Sequence, residues 1–177
     1  MERYSVVFTN LSSIKNNLSL FENKNNFFIV FNDTGAEAPA DERDNAAYID
    51  EISLQAIAPN IIRCAESYGI ISRLCFLPYS DEEDSAFLDI SEESFLSYQS
   101  MLSALFFICK CSLPYMLAAE EPEIVIPAED NPSGIAKRVY NTSLLSMSED
   151  IKKELSAYNI TVKAPLFSGK PDIKDYL

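Results

Sequence analysis

The stretch GIAKRVYNTSLLSMSEDIKKEL, residues 134–155, sets Tyr140 three positions from Lys137 and carries Lys152 and Lys153 further along. A tyrosine beside a lysine can donate a proton in catalysis, because a nearby cation pulls the phenol toward a useful pKa. The plainer alternative is that the Tyr140 ring packs on a helix face and that Lys137 is solvated, as helical lysines ordinarily are. The acidic run DEEDSAFLD could hold a cation through Asp81, Glu82, Glu83 and Asp84. It lacks the alternating ligands and the glycine of a calcium loop, so it reads as a solvated loop. The cysteines Cys64, Cys75, Cys109 and Cys111 include no C-x-x-C pair. Cys109 and Cys111 diverge around a helix axis, which favours buried free thiols over a metal or redox site, and no metal is expected.

Two features of the composition remove whole mechanisms. The chain has no histidine, so it offers no Ser-His or Cys-His pair and no imidazole ligand. Its 4 glycines, Gly35, Gly69, Gly134 and Gly169, are not spaced as a phosphate-cradling loop. With 27 acidic against 14 basic residues the formal charge is −13, and no basic cluster offers a footprint for nucleic acid. MERYSVVFTN has only a short apolar run, too brief for a signal peptide or a membrane span, so the expectation is a cytoplasmic protein with no membrane partner.

The elements that would position these residues alternate. RYSVVFT (3–9) and FFIVFN (27–32) read as strands, with Leu11, Ile14, Leu18 and Phe21 at helical spacing between them. After a polar loop, AAYIDEIS suggests a short strand. Ser53 then opens a helix that closes at Gly69. IISRLCFLP (70–78) has the continuous apolarity of a strand buried on both faces. Ser91 opens the longest helix, 92–119, followed by a strand at EIVIP, a helix at 134–157 and a last strand at ITVKAPLF. A single domain over 1–177 follows, with 167–177 as a tail. Its fold class is α/β, a Rossmann-like three-layer sandwich with a mostly parallel sheet of about six strands.

FLDISEESFLSYQSMLSALFFICKCSLPYM, MSEDIKKELSAYNITVKAP and AESYGIISRLCFLPYS together resemble the short-chain dehydrogenase/reductase family, in the family's order and at its spacings. That resemblance implies where catalytic groups would stand. Counted back from Glu154-Leu155, the family's tyrosine and lysine fall on Lys137 and Asn141. Counted back from Met116, its asparagine falls on Met101. Its serine falls near Ala128 and Glu129, and its strand-four N-N-A-G corresponds to Phe76-Leu77-Pro78-Tyr79. Tyr140 points roughly 100° away from Asn141. The cofactor turn is TNLSSIKNNL, in which Thr9, Asn10, Leu11, Ser12 and Ser13 stand where the family has glycines; Asp33 stands where a ribose-binding carboxylate would. The chain also carries little beyond APLF, where the family continues through a segment that covers the substrate.

The resemblance further implies that helices 92–119 and 134–157 form a dimer interface. Leu102, Leu105, Phe106, Leu113 and Met116 on the first, with Val139, Leu144 and Met147 on the second, cover more than one stripe and are the expected interface residues. The expectation is therefore a catalytically inactive protein without a cofactor, a homodimer or a heteromer with a catalytic subunit of the family. The competing expectation is a divergent NAD(P)-dependent oxidoreductase with rearranged catalytic residues, using Tyr140 and Lys137.

Overall fold

A computed structural model describes residues 4–14, 18–35, 44–78, 90–169 and 171–177. The acidic run 81–89 and Tyr79 lie outside them. Strands β1 (Tyr4–Asn10), β2 (Asn26–Phe31), β3 (Ala46–Ile49), β4 (Ile71–Leu77), β5 (Glu123–Val125) and β7 (Thr161–Lys163) form one sheet in the order β3-β2-β1-β4-β5-β7. Every pairing in it is parallel. The order reverses between β1 and β4, where open α/β sheets leave a crevice at the carboxyl ends of the strands. A second small sheet pairs β6 (Ala128–Glu129) with β8 (Leu166–Phe167). The stretch ITVKAPLF is therefore two strands in two sheets. Pro165 lies between them, and its carbonyl accepts from the Ala128 amide at 3.0 Å.

Helix α2 (Leu54–Tyr68) begins and ends where its sequence says it should. The Ser53 hydroxyl accepts from the Ala56 amide at 3.1 Å, and Gly69 follows at φ 84°, a left-handed conformation that glycine adopts freely. Helix α3 (Glu92–Met116) stops short of 119, and α4 (Ile135–Leu155) runs into a 3₁₀ turn at Ser156–Tyr158. The predicted helix after β1 is instead two short pieces, α1 (Leu11–Ile14) and a 3₁₀ turn at Leu18–Glu22. Around α1, Ser12 and Ser13 spend their hydroxyls on Asp33 and Asn10, the competition that makes serine a poor helix interior.

The two faces of the sheet are covered differently. Helices α2, α3 and α4 press Ile57, Ile61, Leu105, Ile108 and Leu144 against Val6, Phe8, Ile29, Leu74 and Ile124. Burying each such side chain contributes about 1.5–3 kcal/mol. The opposite face holds Val7, Phe28, Val30, Cys75, Leu77 and Val125 under α1, the 3₁₀ turn with Leu20 and Phe21, and Ile173. At the β4-β5-β7 end this second face is charged. Arg73 lies 2.7 Å from Glu123 across the β4-β5 register, and Lys163 of β7 pairs with the same carboxylate. Burial pushes the Glu123 carboxyl up, but hydrogen bonds and charge from Lys163 and Arg73 outweigh it and hold it below the usual value.

Candidate functional site at the carboxyl ends of the strands

The turn leaving β1 is tied to the end of β2. The Asp33 carboxylate accepts from the Ser12 amide at 3.0 Å, from Asn10 Nδ2 at 2.6 Å and from the Ser12 hydroxyl, and Ser13 donates to Asn10 Oδ1 at 2.5 Å. Beside them, Thr9 donates to the Leu77 carbonyl at 3.1 Å, and Leu11 is buried. An intramolecular carboxylate therefore holds the amide donor that a phosphate would need, and side chains stand where a pyrophosphate would approach. The turn as built does not fit a dinucleotide. Asp33 keeps its place at the end of β2 but is directed to the turn.

Of the four positions of the expected catalytic set, Lys137 and Asn141 on α4 meet at Glu129, next to Ala128 on β6, while Met101 lies on α3. Met101 and Ala128 are buried and apolar. Lys137 is not the solvated lysine of the sequence reading: it is 8% exposed, with its ammonium 2.9 Å from Glu129 Oε2. The reason is tertiary, since β6 brings Glu129 alongside the first turns of α4. Asn141 faces the same strand, accepting from the Glu129 amide and donating to the Glu129 carbonyl, each at 2.9 Å. Its carboxamide thus replaces one rung of a sheet ladder and fastens α4 to β6.

Tyr140 lies elsewhere. Its ring is 5.2 Å from that of Tyr98, and its hydroxyl is buried with no hydrogen-bond partner among the described residues. Burial, with Tyr98 second, pushes its pKa above the ordinary phenol value, the opposite of what an acid catalyst needs.

Between β1 and β4 the crevice is nearly full. Leu77, Pro78, Pro127 and Phe167 line it, Pro171, Ile173 and Tyr176 close it, and a cavity of about 20 Å³ remains, room for one water. The closing segment was hard to see in SGKPDIKDYL. The one local signal is Asp172, which caps a 3₁₀ turn at Ile173–Tyr176. Glu129, the partner of both Lys137 and Asn141, left no periodic trace, because it lies across a chain reversal from them.

The expected interface residues separate by burial. Leu105, Met116 and Leu144 are fully or nearly fully buried in their own core and are unavailable to a partner. They lie on the inward side of α3 and α4, which composition alone could not identify. Phe106 is 51% and Val139 50% exposed, while Leu102, Leu113 and Met147 are half-buried. On α3, Phe95, Leu102, Phe106 and Leu113 recur at helical spacing along one stripe, with Phe95 and Phe106 exposed, Leu102 and Leu113 half-buried, and exposed Leu117 just past the helix end. That stripe is why Phe95–Met116 is also apolar and long enough to cross a membrane by composition, although its other side is packed in the core. Beside it an open groove between α3 and α4 is lined by Phe106, Ser143, Ser146, Met147, Asp150 and Glu154.

No protein-family model matches the chain, and no curated protein matches its sequence. Solved structures do match in fold. A short-chain oxidoreductase from Pseudomonas aeruginosa, described as containing an atypical catalytic center, superposes with a TM-score of 0.66 at 12% identity, over 89% of this chain and 66% of that one. Aldohexose dehydrogenase from Thermoplasma acidophilum gives 0.63 at 14%, over 93% and 67%. A short-chain dehydrogenase/reductase variant from Serratia marcescens gives 0.63 at 11%, over 91% and 72%. The chain thus spans about two thirds of the length of the structures it resembles. The fold is that of the short-chain dehydrogenases/reductases.

Proposed function

We propose that this chain is a non-catalytic protein of the short-chain dehydrogenase/reductase fold that binds no dinucleotide and pairs with a second copy of itself through the outward faces of α3 and α4. The observation that carries the reading is the use of the chemically expected positions for structure. Asn141 and Lys137 both spend their polar groups on Glu129, joining helix to strand. The Asp33 contacts of the first turn support the absence of a cofactor in the same way.

The pairing rests on the apolar stripe of α3 and on its charges. The stripe carries the cation Lys110, stacked 5.8 Å over the Phe106 ring, and the adjoining groove carries Asp150 and Glu154. One copy therefore offers both members of an ion pair to another, as a two-fold interface requires. In sedimentation velocity at micromolar concentration the wild type sediments as a dimer and Phe106→Glu as a monomer. A wild type that remains monomeric contradicts the pairing. Dimer formation only on co-expression with an active dehydrogenase of this fold replaces self-pairing by a mixed assembly.

The competing oxidoreductase reading draws on the buried Lys137–Glu129 pair at the position of the family's acid. It requires a dinucleotide, so saturable binding of NAD(P) would favour it.

A further inference from the structure

Residues 171–177 lie across the face of the sheet that, among the described residues, only short elements cover. Ile173, 6% exposed, enters the apolar cluster that contains Cys75, Leu77 and Val125. The Cys75 thiol donates to the Tyr176 carbonyl at 3.3 Å, and Arg73 Nη1 donates to the Leu177 carbonyl at 2.7 Å. Asp172, Lys174 and Asp175 are exposed, and Pro171, Tyr176 and Leu177 are half-buried. Within the segment, the amides of Lys174 and Asp175 donate to Asp172 and close its own short turn. One buried aliphatic side chain, the partial burial of Tyr176 and Leu177 against the same cluster and two hydrogen bonds to the sheet are thus set against the ordering of a whole segment of backbone, terms of comparable size.

We propose that residues 171–177 form a strap that opens locally, while the sheet and its other face stay folded, uncovering the crevice between β1 and β4 and the Cys75 thiol beneath. Local opening of this kind draws on the least stable part of a native structure and proceeds far below the free energy of global unfolding. Two buried thiols allow it to be read. Cys75 lies under the strap, whereas Cys64 lies on α2 within the thick face; both are fully buried when the strap is closed. With both thiols shielded alike, a difference in their labelling reports what uncovers them.

The test labels the full chain with N-ethylmaleimide under native conditions and follows Cys75 and Cys64 separately by peptide mass spectrometry across a series of low urea concentrations. Cys75 is expected to react on the order of 100-fold faster than Cys64, at a rate that changes little with urea. Ile173→Ala is expected to speed Cys75 about tenfold further and to leave Cys64 within about twofold. One common rate for both thiols, rising steeply with urea, would overturn the proposal, as would an Ile173→Ala variant in which both accelerate equally. Neither readout depends on nucleotide binding or on assembly, so the strap stands or falls apart from the proposed function.

Discussion

The two faces of the sheet reach similar burial by different means. On one, α2, α3 and α4 supply long apolar stripes, and the side chains between helix and strand are fully enclosed. On the other, among the described residues, four-residue α1, the 3₁₀ turn at Leu18–Glu22 and residues 171–177 do the same work with little regular structure, and the β4-β5-β7 end carries the Arg73–Glu123–Lys163 charges. The lesson is that apolar area alone does not describe how firmly a face is closed. Helices bring their backbone hydrogen bonds with them, whereas an irregular cover depends on single anchors.

The largest effect that tests this contrast is in the thick face. Leu105→Ala, at a fully buried position, should cost about 2–5 kcal/mol in urea unfolding, and Ile173→Ala only about 1.4 kcal/mol, the equivalent of its tenfold easier opening, because the strap can lift instead of leaving a void. Equal losses would erase the distinction between the faces. Next is the joint between α4 and β6. Lys137→Met leaves the Glu129 carboxylate enclosed without its partner and should cost at least about 2 kcal/mol, while the double variant Glu129→Gln/Lys137→Met recovers most of it. A pair that serves only catalysis would show no such recovery.

A smaller effect belongs to the charged end of the thin face. Glu123 has a folded-state pKa below its ordinary value, so its contribution is present above the ordinary carboxylate pKa and is lost as pH falls through the lowered one. Acid unfolding of Glu123→Gln should therefore be shallower than that of wild type in that window, measured by circular dichroism. At the opposite extreme, burial raises Cys64, Cys75 and Cys109 to about 12. Their folded-state pKa values are raised, so stability is intact below the ordinary thiol pKa and declines as pH rises from there toward 12. Smallest in stability is Phe106→Glu, expected to stay within about 0.5 kcal/mol of wild type while abolishing the proposed pairing, because the ring is half exposed in the single chain.

What could be read from the sequence follows the range of the forces involved. Ser53 and Gly69 were legible because a cap and a left-handed turn are local. The parallel order of strands was legible because alternation with helices admits few topologies. Lys137 was misplaced in solvent because its partner Glu129 comes from another element, and no pattern on α4 announces a buried ion pair. The sequence pattern alone assigns Leu105, Met116 and Leu144 to an interface, because an almost wholly apolar helix hides which stripe faces inward until the sheet and α4 are in place. Ile173 helps to close the crevice but is not legible in the sequence, because a short irregular segment carries no periodicity.

The central proposal is that the turn after β1 and the expected catalytic positions serve structure. Isothermal titration of the full chain with NADPH and with NADH, at concentrations up to the millimolar range, tests it most directly. No saturable heat for either is the predicted result. A one-to-one isotherm with micromolar affinity, lost on substitution of a residue in the β1 turn, would contradict it.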